Sequence, residues 1–156
     1  LIGSHQVGEF LIRFLQKEKT PFVILDFNPF QVEKLIAEKI PVIFGDMGDP
    51  EVLDVLNLDQ ARMVISTVPD KENNELLIED LRSRSLKIPI IVRSDSFKEA
   101  QLLYKLGANF VFLPDIVSGE FLVEMLKNHL SDRDYFAERP KIELEKLSRK
   151  NLAWQG

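Results

Sequence analysis

Short apolar runs recur along the chain, separated by stretches in which apolar residues return every three or four positions. The runs are Leu1-Ile2, "FVIL" at 22–25, "PVIF" at 41–44, "MVIS" at 63–66, "PIIV" at 89–92 and "FVFL" at 110–113. They are unbroken and rich in Val and Ile, which is typical of strands whose sheet is covered by helices on both faces. The pattern therefore predicts six buried strands.

The intervening stretches predict helices that each carry one apolar face. The first of these faces has helical spacing and comprises Val7, Phe10, Leu11, Phe14 and Leu15. Further helices are predicted at 31–38, 50–56, 70–84, 96–106 and 115–130. Asp70 and Ser96 stand where N-caps belong, and Gly107 is a natural helix end.

Strands that alternate with helices indicate a parallel sheet joined by right-handed crossovers. We therefore predict an α/β fold over residues 1–130: a Rossmann-like, doubly wound, six-stranded parallel sheet with helices on both faces. The first run has only two residues, so we expect the given sequence to begin within a strand. Residues 131–156 form a polar tail, for which we weigh a short helix, packing on a partner, folding back and partial disorder.

Composition limits the functions that fit this fold. The 156 residues suffice for one domain, and the net charge of -5 argues against a nucleic-acid surface. No cysteine is present, and His5 and His129 are the only histidines, with no triad or metal spacing around them. No apolar run reaches the roughly 20 residues that span a bilayer. We therefore expect no catalytic site, no metal site and no nucleic-acid partner.

The stretch "GSHQVG" joins the first apolar run to the first helix. In dinucleotide-binding folds the first glycine permits a tight turn, the middle one lets the backbone approach the pyrophosphate, and the last allows close helix packing. Gly3 and Gly8 match the outer two, but His5 stands in the middle, where it would either crowd a phosphate or donate to it. An ordinary turn is the alternative. As a nucleotide turn it would contribute Gly3, Ser4, His5, Gln6, Val7 and Gly8.

The second apolar run ends in "VILDFNP", which places Asp26 about 20 residues beyond the glycine turn. A carboxylate at this position binds the ribose hydroxyls of adenosine; the alternative is a loop carboxylate that caps the next helix. Phe27 and Asn28 follow at the same edge. No arginine stands at 27–32 to receive a 2′-phosphate, so NAD or an adenosine nucleotide is favoured over NADP.

In order along the chain, "GSHQVG", "VILDFNP", "VIFGDMGDPEVL", "VISTVPDKENN", "IIVRSDS" and "LGANFVFLPD" resemble the RCK or KTN domains, of TrkA-N type, of potassium channels and of Trk-type and Kef-type transporters. The resemblance covers residues 1–130. It implies a domain that binds NAD or NADH, or else AMP, ADP or ATP, and gates potassium or cation/proton transport through a membrane module in the same chain or a separate subunit. It also implies a cytoplasmic place at the inner face of the membrane, and a homodimer or higher oligomer formed through the Rossmann-domain helices.

The resemblance assigns further residues to the ligand. Asp46, between Gly45 and Met47, matches the aspartate of a Gly-Asp block near the adenine. Thr67 matches a polar residue that faces the ligand, Asn73 an asparagine of the following helix, and Arg93 the arginine that closes the fifth strand.

Two departures from the family pattern fall in the phosphate turn. Such domains usually carry glycine where this chain has His5, and Kef-like members often carry arginine where it has Gln6. We therefore expect weaker pyrophosphate binding. Two other functions remain open: an NAD-dependent oxidoreductase whose substrate part lies outside this sequence, and a dimerisation scaffold with a degenerate nucleotide site.

Overall fold

The computed structural model describes residues 1–85 and 87–154, with side chains as far as Ser148. Within these residues the helices are α1 (Val7–Lys17), α2 (Pro29–Ala37), α3 (Pro50–Val55), α4 (Lys71–Ser83), α5 (Phe97–Leu106), α6 (Pro114–Ser131) and α7 (Arg139–Trp154). The strands are β1 (Ile24–Asp26), β2 (Val42–Phe44), β3 (Val64–Ser66), β4 (Ile90–Arg93) and β5 (Phe110–Phe112). A short 3₁₀ helix at Leu58–Gln60 precedes β3.

The chain divides into two compact units, Leu1–Pro114 and Asp115–Gly156. The first unit contains the strands and the helices α1 to α5, and the second contains α7 and nearly all of α6. A helix is found in the polar tail, where a short one was among the expectations, although residues 155–156 lie outside the described residues. The predicted domain boundary at residue 130 stays a prediction. Among the described residues, each helix is too short or too polar to cross a membrane.

The strands pair in parallel as β1 with β2 and as β3 with β4 and β5. The segment Leu1–Gly3 lies between these two sheets, where Ile2 forms bridges to Leu25 and Ser66. Gly3 N donates to Leu25 O at 2.9 Å, and Thr67 N donates to Ile2 O at 2.9 Å. The resulting order is β2, β1, the Leu1–Gly3 segment, β3, β4 and β5.

The described residues thus contain five strands rather than the predicted six. Leu1-Ile2 forms bridges but no strand, because two residues provide too few consecutive ladder hydrogen bonds. The coarser prediction, a Rossmann-like parallel α/β arrangement, agrees with the observed pairing.

Two separate hydrophobic clusters show that helices cover both faces of β1. Ile24 belongs to one cluster with Ile12 of α1 and Leu35 of α2, whereas Leu25 belongs to the other with Leu77 of α4 and Leu103 of α5. Consecutive strand residues point to opposite faces, so α1 and α2 lie on one face and α4 and α5 on the other. Leu25, Leu77 and Leu103 are at most 1% exposed, and such burial stabilises the fold by roughly 1.5–3 kcal/mol per side chain.

Helices α2 to α5 each begin at a side-chain cap shortly after a strand ends. Asn28, Asp49, Asp70 and Ser96 accept hydrogen bonds from the first backbone N–H groups of α2, α3, α4 and α5, respectively. The predicted caps at Asp70 and Ser96 are therefore present, and α5 ends at Gly107 with φ 113°. Because the strands are parallel, these caps gather polar groups at one edge of the sheet.

Candidate nucleotide-binding cleft

A cleft of about 730 Å³ opens at the carboxyl edge of the sheet, where the Leu1–Gly3 segment separates β1 from β3. Ligands of doubly wound folds bind where the strand order reverses, and the volume is in the range of small-molecule sites. The cleft is lined by Ile2, Gly3, Ser4, His5, Gln6, Leu25, Asp26, Phe27, Asn28, Gln31, Gly45, Asp46, Met47, Thr67, Val68, Pro69, Asp70, Asn73 and Arg93. The predicted site residues all line it except Val7 and Gly8.

Gly3 and Gly8 shape the turn that forms one wall. Gly3 has φ 80°, and a Cβ there would lie 2.7 Å from Thr67 Oγ1. A Cβ at Gly8 would lie 2.2 Å from the carbonyl oxygen of Gly3, so only glycine lets α1 start this close to the preceding segment. These are the structural roles that the sequence predicts for the outer glycines. Their contact with a ligand stays a prediction.

Asp26 ends β1 with a carboxylate fixed in place and only 7% exposed. Its Oδ2 accepts hydrogen bonds from Ser4 N at 2.8 Å and from Ser4 Oγ at 2.5 Å. Its Oδ1 accepts one from Asn28 N at 2.9 Å. A carboxylate offers about four acceptor positions, so one position is left for a hydroxyl of a ligand. The carboxylate is thus oriented before any ligand arrives.

Asn28 decides between the two interpretations of Asp26. Its Oδ1 accepts from Phe30 N at 3.0 Å and from Gln31 N at 3.4 Å, so Asn28 is the cap of α2. Asp26 does not cap that helix. Because Asn28 Oδ1 caps α2, the predicted polar contact of Asn28 with a ligand has to be made by another atom of Asn28. Otherwise the hydrogen bonds of the cap have to be broken.

Thr67 and Asn73 hold neighbouring parts of the cleft together. Thr67 Oγ1 lies 3.2 Å from Ile2 O and 3.1 Å from Gly3 O, so the hydroxyl secures the glycine turn. Asn73 lies in the first turn of α4, and its Oδ1 would be 2.6 Å from a Cβ at Gly48, which brings α4 against the loop after β2. Both residues line the cleft while serving its internal structure, and their contact with a ligand stays a prediction.

Asn74 supports the site although the sequence reasoning did not select it. Its side chain is fully buried, and Nδ2 donates to Val68 O at 2.9 Å and to Arg93 O at 3.1 Å. These bonds join the chain beyond β3 to the end of β4. The available signal was helical spacing, which puts Asn74 on the same face as Leu77, Ile78 and Leu81. Lining residues also missed were Ile2, Leu25, Gln31, Val68, Pro69 and Asp70.

The glycine turn, which is predicted to receive a phosphate, has fewer side-chain hydrogen bonds in place than Asp26 has. Gln6 precedes α1 with φ 47° and ψ -104°, and its side chain makes no capping hydrogen bond. A non-glycine residue in such a conformation stores about 1–3 kcal/mol of strain. Arg93 also lines the cleft, but its Nε lies 3.0 Å from Oδ1 of Asp95.

A parallel α/β sheet with a glycine turn, a cleft at the strand ends and a buried carboxylate after the next strand is the arrangement of dinucleotide-binding domains. The family model of the TrkA-N domain matches residues 1–114, and the chain belongs to this family. The resemblance found in the sequence is thereby confirmed.

Individual relatives come from transporters and channels. A protein of Alkalimonas amylolytica named as a K(+) efflux antiporter, KefB, is 27% identical over 122 residues, which cover 78% of this chain and 18% of that relative. The chain thus spans about a fifth of the relative's length. The structure of the GsuK channel bound to NAD is 30% identical with a TM-score of 0.64, covering 72% of this chain and 20% of that one.

The fold is matched by the TrkA-N domain of the inner membrane protein YbaL from Escherichia coli. Its crystal structure superimposes with a TM-score of 0.76, covering 80% of this chain and 93% of that chain. At 22% identity this likeness shows the Rossmann-like fold.

Proposed function

We propose that this chain is a regulatory domain that binds NAD(H) or an adenine nucleotide and gates potassium or cation/proton transport through an associated membrane module. The observation that carries the proposal is the cleft at the strand-order reversal, with the Asp26 carboxylate held in place there. The names of the KefB relative and of the NAD-bound GsuK channel support the transport role and the ligand class.

In this proposal the ribose lies at Asp26 and the adenine lies near Gly45, Asp46 and Met47, which line the cleft beside β2. The first phosphate lies at the glycine turn, where the start of α1 offers backbone N–H groups and the positive end of the helix dipole. The structure supports this placement because the three parts of the cleft follow one another along the carboxyl edge of the sheet.

A bound nucleotide would contact both the β1–β2 pair and the β3–β5 sheet. The β1–β2 pair and the β3–β5 sheet are joined through the short Leu1–Gly3 segment. We propose that this segment is part of the central strand of a six-stranded sheet. A ligand shifts a conformational equilibrium only by its difference in affinity for the two states. Bridging two sheet halves gives the nucleotide such a difference, because any relative movement of the halves changes its contacts.

The proposal places the domain at the cytoplasmic face of the membrane, in a homodimer or higher oligomer, and gives it no catalytic step. The cleft's polar groups favour binding over chemistry, since Asp26, Thr67 and Asn28 are engaged in hydrogen bonds that hold the backbone.

Calorimetric titration and thermal shift with NAD, NADH, AMP, ADP and ATP test the proposal. We expect saturable binding of at least one of them, with a melting temperature that rises with ligand concentration. Asp26→Ala should weaken this binding by about 1–3 kcal/mol, because a charged hydrogen bond to the ribose is lost. Asp59→Ala, which removes an exposed carboxylate of the 3₁₀ helix, is the matched control and should leave affinity unchanged.

Two results contradict the proposal. If none of the five nucleotides changes the melting temperature or gives a calorimetric signal, the proposed nucleotide binding is contradicted. If a nucleotide binds the Asp26→Ala protein and the Asp59→Ala protein with equal affinity, the assignment of Asp26 to ribose binding is contradicted.

A further inference from the structure

The residues that line the cleft carry more negative than positive charges, whereas a bound polyphosphate is stabilised by positive charges. Asp26, Asp46 and Asp70 line it as carboxylates. Among its described lining residues, Arg93 is the one permanent cation. The negative groups are spread over the adenosine end and the start of α4, so an anion that extends along the cleft meets them in succession.

Arg93 is already compensated. Its Nε lies 3.0 Å from Oδ1 of Asp95, which follows it by two residues at the end of β4. The Arg93 side chain is 20% exposed and lines the cleft, whereas that of Asp95 is 54% exposed and is not among the lining residues. A phosphate that binds Arg93 has to share it with this carboxylate or displace it.

The nearest lysine to the cleft along α4 is compensated as well. Lys71 follows Asp70 and lies 3.1 Å from Glu75. The hydrogen bond that Lys71 donates to Glu75 and the charge of that carboxylate raise the pKa of Lys71. This amine is paired within its own helix and does not line the cleft.

From these charges we infer that Asp95 is a specificity-determining residue, which lowers the affinity of the site for multiply charged phosphates and so selects adenosine ligands of low negative charge. NAD and AMP fit this class better than ADP and ATP, because each added phosphoryl group adds negative charge. The inference rests on the proposed nucleotide function of the cleft. The start of α1 provides for one phosphate, and no second compensating cation is found among the described lining residues.

The test is calorimetric titration of the whole chain with NAD, AMP, ADP and ATP, in EDTA so that no divalent cation masks the phosphate charge. Three proteins are compared: the unmodified chain, Asp95→Asn, and Asp59→Asn as a control that removes the same charge from an exposed position on the 3₁₀ helix. We expect affinity to fall from AMP to ADP to ATP. We expect Asp95→Asn to raise ATP affinity about fivefold and AMP affinity about twofold, by removal of one nearby negative charge. Asp59→Asn should leave the order unchanged.

Added salt gives a second readout. Repulsion between exposed charges is screened, so the preference for AMP over ATP should shrink as KCl rises from low to physiological concentration. Equal or tighter binding of ATP than AMP in the unmodified chain would overturn the inference while leaving the proposed function standing. So would an identical effect of Asp95→Asn and Asp59→Asn. Absence of binding for every nucleotide would overturn both.

Discussion

The two ends of the cleft are built differently. At the end of β1, where the proposal places the adenosine, Asp26 is buried and receives three hydrogen bonds from Ser4 and Asn28, so its geometry is set without a ligand. Elsewhere along the cleft, Gln6 has a strained backbone and Arg93 is paired with Asp95. Preorganised groups bind at lower cost than groups that must first move or exchange partners. In the proposed function, recognition of the adenosine would therefore carry the affinity, whereas the glycine turn and Arg93 would limit which ligands are accepted.

The largest expected effect comes from Gly8, which lets α1 start close to Gly3 in the wall of the cleft. Gly8→Ala places a Cβ 2.2 Å from Gly3 O, a clash with backbone that side-chain rotation cannot relieve. We expect a loss of about 3 kcal/mol or more in the free energy of unfolding, measured by urea denaturation. Gly119→Ala in α6, where a Cβ meets nothing within 4 Å, is the control and should be neutral or slightly stabilising. Equal stability of the two variants would refute the close approach at Gly8.

Truncation of one carboxylate at each end tests the comparison itself. Asp26→Ala leaves the buried Ser4 N and the Asn28 N without their acceptor, so the free energy of unfolding should fall by about 1–3 kcal/mol. Asp95→Ala removes an exposed ion pair and should change it by less than about 0.5 kcal/mol. Chemical denaturation measures both. If the two losses are the same size, the two ends do not differ in the way described.

Asn74 and its neighbour Asn73 form a matched pair in α4. Asn74→Ala leaves Val68 O and Arg93 O without their donor, and we expect destabilisation by about 1–3 kcal/mol with weaker nucleotide binding, because both strand ends lie at the cleft. Asn73→Ala removes a partly exposed amide and should cost clearly less stability. A larger stability loss for Asn73→Ala than for Asn74→Ala would contradict the role given to Asn74.

The smallest effect is expected at the strained turn. Gln6→Gly allows the backbone to keep φ 47° without a Cβ, so the relieved strain should offset or slightly exceed the entropy that glycine costs, with a net gain of about 1 kcal/mol at most. Differential scanning calorimetry would detect it as a small rise in melting temperature. A clear fall in melting temperature would mean that Gln6 is not strained.

The sequence was informative wherever the signal lies in one residue or in a short run of consecutive residues. Continuous Val and Ile runs predicted the strands because both faces of the sheet are covered, and Asp70 and Ser96 predicted helix starts because short polar side chains cap them. The described residues contain five strands, since Leu1-Ile2 forms bridges but is too short to be a strand of its own. The sixth strand stays part of the proposal.

The hydrogen bonds that orient the polar groups of the cleft join residues that are distant in the sequence and that the fold brings together. The spacing of Gly3 and Asp26 predicts a ribose carboxylate, which stays a prediction, and it gave no sign that Ser4 supplies two hydrogen bonds to Asp26. Asn74 is polar on an apolar helix face, and its purpose depends on knowing that Val68 O and Arg93 O lie side by side. Pairwise geometry of this kind depends on strand order, which periodicity does not specify.

A crystal structure of the protein with AMP bound tests the central claim most directly. We predict AMP in the cleft, with a ribose hydroxyl donating to the Asp26 carboxylate and the hydrogen bonds from Ser4 and Asn28 retained. AMP bound elsewhere on the chain, or seated in the cleft with its sugar away from Asp26, would contradict the assignment of this edge to an adenosine ligand.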